Sequence, residues 1–66
     1  MLLTVNGQPL QLEGKGRVAD LLRQVGCDPG RTALMLNGEV VPRDAWDGVA
    51  LEEDDRVELI VFAGGG

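Results

Sequence analysis

A chain of 66 residues with 11 acidic and 6 basic side chains, one cysteine and no histidine has room for a single domain whose core must use nearly all of its Leu, Ile and Val. One cysteine excludes an intramolecular disulfide, and the missing histidine removes the commonest metal ligand and the commonest general base, so a zinc or haem site and a self-contained hydrolase both fall away. The formal charge of −5 opposes binding to nucleic-acid phosphates and favours a basic protein partner.

The opening MLLTVNGQPLQLEG has neither a basic start nor a sustained apolar stretch, and nothing in the chain approaches the roughly 20 apolar residues of a membrane span. A soluble, cytoplasmic monomer without membrane contact is expected. Leu2 to Val5 is a short apolar run that meets Asn6-Gly7, the strongest short hairpin signal. Pro9 to Glu13 then alternates as the return strand, and Pro9, which lacks an amide hydrogen, suits a strand start or edge.

From Arg17 the period changes. Val18, Leu21, Leu22 and Val25 fall at i, i+3, i+4 and i+7, one apolar stripe of a helix that Gly26 should cap and that Asp28-Pro29-Gly30 cannot continue. Ala33 to Leu36 is a third strand, turned by Asn37-Gly38 into Glu39 to Val41 and curtailed by Pro42. Arg43 to Gly48 has no period and reads as a loop or one helical turn. Within it Trp46 is expected to anchor a satellite cluster, with its indole N–H on a backbone carbonyl.

Glu52 to Asp55 forms an acidic turn without the ligand spacing of a calcium loop, so it reads as solvated and not as a metal site. Arg56 to Phe62 is the most strand-like run, with Val57, Leu59 and Val61 on one face and Ile60 and Phe62 on the other. A single short helix with one apolar stripe is most simply buried across one face of a mixed four- or five-stranded sheet, a two-layer α+β arrangement.

The chain then runs through Ala63 into Gly64, Gly65 and Gly66. Glycines gain nothing in a core and lose the most conformational freedom on ordering, so residues 64 to 66 are expected as a flexible tail outside a domain of residues 1 to 63. Four residues from Ala63 reach about 13 Å. By itself this tail is read equally well as a thread for another protein's narrow active site or as a frayed or tag-derived terminus.

Val5-Asn6-Gly7-Gln8, Val18-Ala19-Asp20-Leu21-Leu22, the stretch Leu36 to Arg43 with Trp46, Glu53 to Glu58 and the terminal glycines together resemble the ThiS family of thiamin-biosynthesis sulfur carriers, in one register from end to end. The segment NGEVVPR followed by Trp46 is the most specific part, because the wider ubiquitin-like superfamily lacks it. The resemblance implies a β-grasp fold and a carrier that does no catalysis itself. An E1-like, ThiF-like enzyme would consume ATP to adenylate the terminal glycine carboxylate. Sulfur from the persulfide of a donor protein would displace AMP, and the thiocarboxylate would supply a ThiG-like thiazole synthase; the carrier would bind no cofactor and no metal.

The family usually ends in two glycines and this chain in three, so the reactive carbon is Gly66 as encoded, or Gly65 after trimming; Gly66 needs no extra enzyme. Ile60 and Phe62 beside the tail, and Arg43 beside Trp46, are the candidate partner contacts. Cys27 reads as a partly buried filler, with a persulfide role as the minor alternative. Carriers for molybdopterin synthesis, tRNA thiolation or cysteine synthesis, and a ubiquitin-like modifier joined to lysines, share the tail chemistry and remain alternatives.

Overall fold

The computed structural model describes residues 1–13 and 16–62, which leaves the boundary drawn after residue 63 and the tail glycines outside the described part. Strand β1 (Leu2–Val5) turns into β2 (Gln8–Gln11), helix α1 (Val18–Val25) follows, then β3 (Thr32–Leu36), β4 (Glu39–Val40) and β5 (Arg56–Val61). The five strands form one mixed sheet in the order β2-β1-β5-β3-β4, with β1 and β5 parallel and the other pairs antiparallel.

Both Asn-Gly pairs make the turns expected of them. Asn6 and Asn37 each sit at φ 51°, followed by Gly7 at 79° and Gly38 at 87°, so both central residues of each two-residue turn have the positive φ of a type I′ hairpin. The sheet's contribution to the core is Leu3 and Val5 from β1, Leu34 from β3 and Val57 from β5, facing Val18, Leu21 and Leu22 of α1.

Helix α1 begins at Val18, one residue later than the periodicity suggests, because Arg17 is extended (φ −99°, ψ 166°) and its N–H donates to Asp20 Oδ2 at 3.0 Å. Asp20 therefore satisfies a helix-start donor instead of merely facing water. Gly26 ends the helix in the left-handed conformation at φ 80°, with its N–H on Leu22 O at 3.0 Å. Val25, the last residue of the stripe, is 36% exposed, since no further turn follows to seat it.

Pro29–Arg31 forms a 3-10 turn that the apolar pattern does not announce; Asp28 Oδ1 accepts the Gly30 N–H at 2.9 Å to start it. Arg43–Ala45 forms a single helical turn in place of a loop. Trp46 belongs to the one continuous core cluster and not to a satellite, and its indole N–H donates to Val41 O at 2.9 Å as expected. Among the described residues no helix is long and apolar enough to cross a membrane.

Candidate functional site

Strand β5 is the element that leads toward the glycines, and it is held from both sides. Its pairing with β3 runs from Leu36↔Val57 to Thr32↔Val61, whereas β1 pairs with it only at Thr4↔Arg56 and Val5↔Val57. Beyond that point the Asn6 side chain takes the place of a further β1 residue: its Oδ1 accepts the Leu59 N–H at 2.7 Å and its Nδ2 donates to Leu59 O at 3.2 Å. Asn37 does the corresponding work at the start of β5, with Oδ1 accepting the Arg56 N–H at 3.0 Å and its own N–H donating to Arg56 O at 2.8 Å. The hairpin residues thus serve twice, as turn formers and as clamps on the central strand.

Alternation along β5 places Val57 and Leu59 toward the helix and Glu58, Ile60 and Phe62 on the open face of the sheet. Ile60 is 45% and Phe62 56% exposed, so both candidate contacts are at the surface. Val61 has the parity of the core face but is 61% exposed, a correction to the expected apolar face. It stands opposite Thr32 at the end of the β3 ladder, where Asp28 O already accepts the Thr32 hydroxyl at 2.7 Å, and it is not among the residues packed against the core cluster.

Arg43 lies elsewhere. Its guanidinium sits 5.9 Å from the centroid of the Trp46 ring, and the two line a cleft of about 450 Å³ with Ala19, Leu22 and Cys27 on the helix side of the molecule. The structure therefore separates Arg43 from Ile60 and Phe62, which occupy the opposite face. Cys27 is half-buried against the core, the position of a filler. Gly64, Gly65 and Gly66 lie outside the described residues.

The acidic turn is more than a solvated surface. Glu53 Oε2 accepts the Leu2 N–H at 2.7 Å and Asp55 Oδ2 the Glu52 N–H at 2.8 Å, while Asp55 Oδ1 receives Asn37 Nδ2 at 3.0 Å. These carboxylates tie the start of β5 to β1 and to the second hairpin. Among the described residues no group of three or more His, Cys, Asp or Glu is gathered as a cation site. Neither the Asn6 clamp nor these carboxylate bonds is legible from the sequence; the Asn-Gly dipeptides and the acid-rich turn mark the places without naming the distant partners.

The ThiS family model matches residues 3–66. The chain is 32% identical to the sulfur carrier protein ThiS of Escherichia coli, over 98% of this chain and the whole of that one. It is also 33% and 36% identical to thiazole synthases of Paramagnetospirillum magneticum and Magnetococcus marinus, over all of this chain but only a fifth of their length. The crystal structure of a thiamine biosynthesis protein, ThiS, from Geobacter metallireducens superimposes with a TM-score of 0.83 at 38% identity, covering both chains completely. The five-stranded mixed sheet with its one helix is the β-grasp fold of those neighbours, and the chain belongs to the ThiS family.

Proposed function

We propose that this protein carries sulfur as a thiocarboxylate on its terminal glycine, Gly66, and delivers it to the thiazole of thiamin. The observation that supports this most is the family match, which continues through residue 66 and so takes in the glycine tail. A carboxylate is a poor electrophile until one oxygen becomes a good leaving group, and adenylation by an E1-like enzyme at the expense of ATP supplies that group. A persulfide sulfur from a donor protein then displaces AMP from the same carbon, and a thiol attacks the donor-side sulfur of the acyl disulfide so formed, which releases the thiocarboxylate and leaves a disulfide on the donor.

The carrier's own contribution is presentation. Residues 64 to 66 have no side chains, so a narrow channel can admit them, and the body of residues 1 to 63 serves as the handle. The chain has no histidine and acts as a carrier, not as an enzyme. Thiazole synthase is the natural recipient: two relatives with that name contain a stretch like this chain within a much longer protein, as expected where carrier and synthase handle the same sulfur atom. Because the activating enzyme needs ATP, the cytoplasm is the compartment that fits.

Ile60 and Phe62 are proposed as the docking surface nearest the tail, and Arg43 as a separate contact on the helix side. The reading is tested by complementation of a bacterium that lacks its own ThiS and requires thiazole. The intact chain should restore growth, and a chain lacking Gly65 and Gly66 should not. Growth supported equally by both chains would contradict the role of the tail.

A further inference from the structure

Backbone hydrogen bonds in the sheet show which amides of β5 face which neighbour. Phe62 N–H donates to Arg31 O and Asn37 N–H to Arg56 O, both at 2.8 Å, so Arg56, Glu58, Ile60 and Phe62 turn their main-chain groups toward β3. Val57, Leu59 and Val61 turn theirs the other way. Val57 O accepts the Asn6 N–H at 2.9 Å, and Leu59 is bonded through both its N–H and its C=O by the Asn6 side chain. For Val61 no described strand stands across the edge, because β1 ends at Val5 and the chain has turned away at Asn6-Gly7.

The sheet's outer edges are treated differently. On β2 the Leu12 N–H bonds to Met1 O at 2.8 Å, so Pro9 and Gln11 face outward; Pro9 has no donor, and Gln24 donates to Gln11 O at 2.9 Å and accepts from the Glu13 N–H at 3.3 Å. On β4 the Val41 N–H bonds to Leu34 O at 2.9 Å, which leaves Val40 facing outward before Pro42. At the end of β5, by contrast, three consecutive large apolar residues are exposed, Ile60 at 45%, Val61 at 61% and Phe62 at 56%, around an edge that neither a proline nor a side-chain amide blocks. Such a run is a defect on a free surface unless something covers it.

We infer that this half-edge of β5 is a docking strand on which the enzyme that activates the tail lays an extended segment of its own, bonded to the N–H and C=O of Val61. The inference rests on the carrier reading above and adds the mode of recognition. The occupant follows from position. Gly66 is the fifth residue after Val61, at most roughly 18 Å away when extended, so an enzyme holding the reactive carbon is within reach of this edge. Main-chain pairing there also fixes the direction and register in which the following residues enter its channel, which docking through side chains alone does not.

The test is amide hydrogen exchange by NMR on the wild-type chain, free and saturated with its E1-like enzyme and ATP. In the free chain the Val61 amide should exchange much faster than that of Leu59; in the complex it should slow by about tenfold or more. A second measurement compares V61P, which removes the donor at a position where the β3 ladder loses no bond, with V61T, which keeps it. V61P should weaken the complex by roughly tenfold more than V61T. If thiocarboxylate forms once a persulfide donor and a thiol are added, while Val61 stays unprotected in the complex, the docking strand is wrong and the carrier role stands. If neither complex nor thiocarboxylate forms, both fall. Protection that rises with the concentration of the free chain alone would put a second copy on the edge and overturn the assignment to the enzyme.

Discussion

Asn6→Gly isolates the clamp on β5 from the turn that positions it. Glycine accepts the φ of 51° at this site without strain, so the substitution removes the side-chain bonds to the Leu59 N–H and C=O, at 2.7 and 3.2 Å, and little else. A hydrogen bond contributes about 0.5 to 1.5 kcal/mol net, and these are exposed, so the pair is worth about 1 to 2 kcal/mol. For a domain this small, each kcal/mol lowers Tm by roughly 4 to 8 °C. Asn6→Ala removes the same bonds while keeping a β-carbon at φ 51°, without the local hydrogen bonding by which asparagine tolerates the left-handed region, so it should cost somewhat more than Asn6→Gly. Urea titration followed by the fluorescence of Trp46, the single tryptophan and 6% exposed, reads both values. If Asn6→Gly stays within about 0.3 kcal/mol of wild type, with unchanged exchange at the Leu59 amide, the clamp does not hold the strand.

Trp46→Phe keeps an aromatic ring but leaves Val41 O without its 2.9 Å indole donor, for an expected loss of about 1 to 2 kcal/mol in a thermal melt followed by circular dichroism. Trp46→Ala should cost about 3 to 5 kcal/mol, a large part of the stability of so small a domain. The double substitution Ile60→Ser, Phe62→Ser removes exposed apolar groups. It should leave stability within about 0.5 kcal/mol per site and weaken calorimetrically measured binding to the activating enzyme by about tenfold or more. Undiminished binding would remove these residues from the docking surface. Deletion of Gly65 and Gly66 should leave the unfolding midpoint unchanged, since every member of the core cluster lies upstream.

What the sequence announced was governed by local rules. Asn-Gly demands positive φ at successive positions, the spacing of Val18, Leu21 and Leu22 permits one buried helix face, and Gly26 follows the last turn; all three took the form expected of them. What it did not announce depends on residues far apart in the chain. Asn6 reaches Leu59, Gln24 covers the edge of β2, and Glu53 holds the Leu2 amide, and no periodicity encodes such pairings. The exposure of Val61 belongs to the same class. Its alternation is that of a core residue, yet it is 61% exposed, at the end of the β3 ladder, beyond the last pairing with β1 and outside the residues packed on the core. Arg43 and Phe62 are both candidate contacts in the sequence, but the packing of Trp46 fixes Arg43 on the side away from the strand.

Mass spectrometry of the intact protein, after incubation with the E1-like enzyme, ATP, a persulfide donor and a thiol, bears most directly on the sulfur-carrier claim. The account predicts a population in which one oxygen of Gly66 is replaced by sulfur, absent when ATP is omitted and absent from the chain shortened by its last two glycines. A chain that binds the enzyme and consumes ATP yet never acquires that sulfur, or that is joined instead to lysines of other proteins, would contradict it.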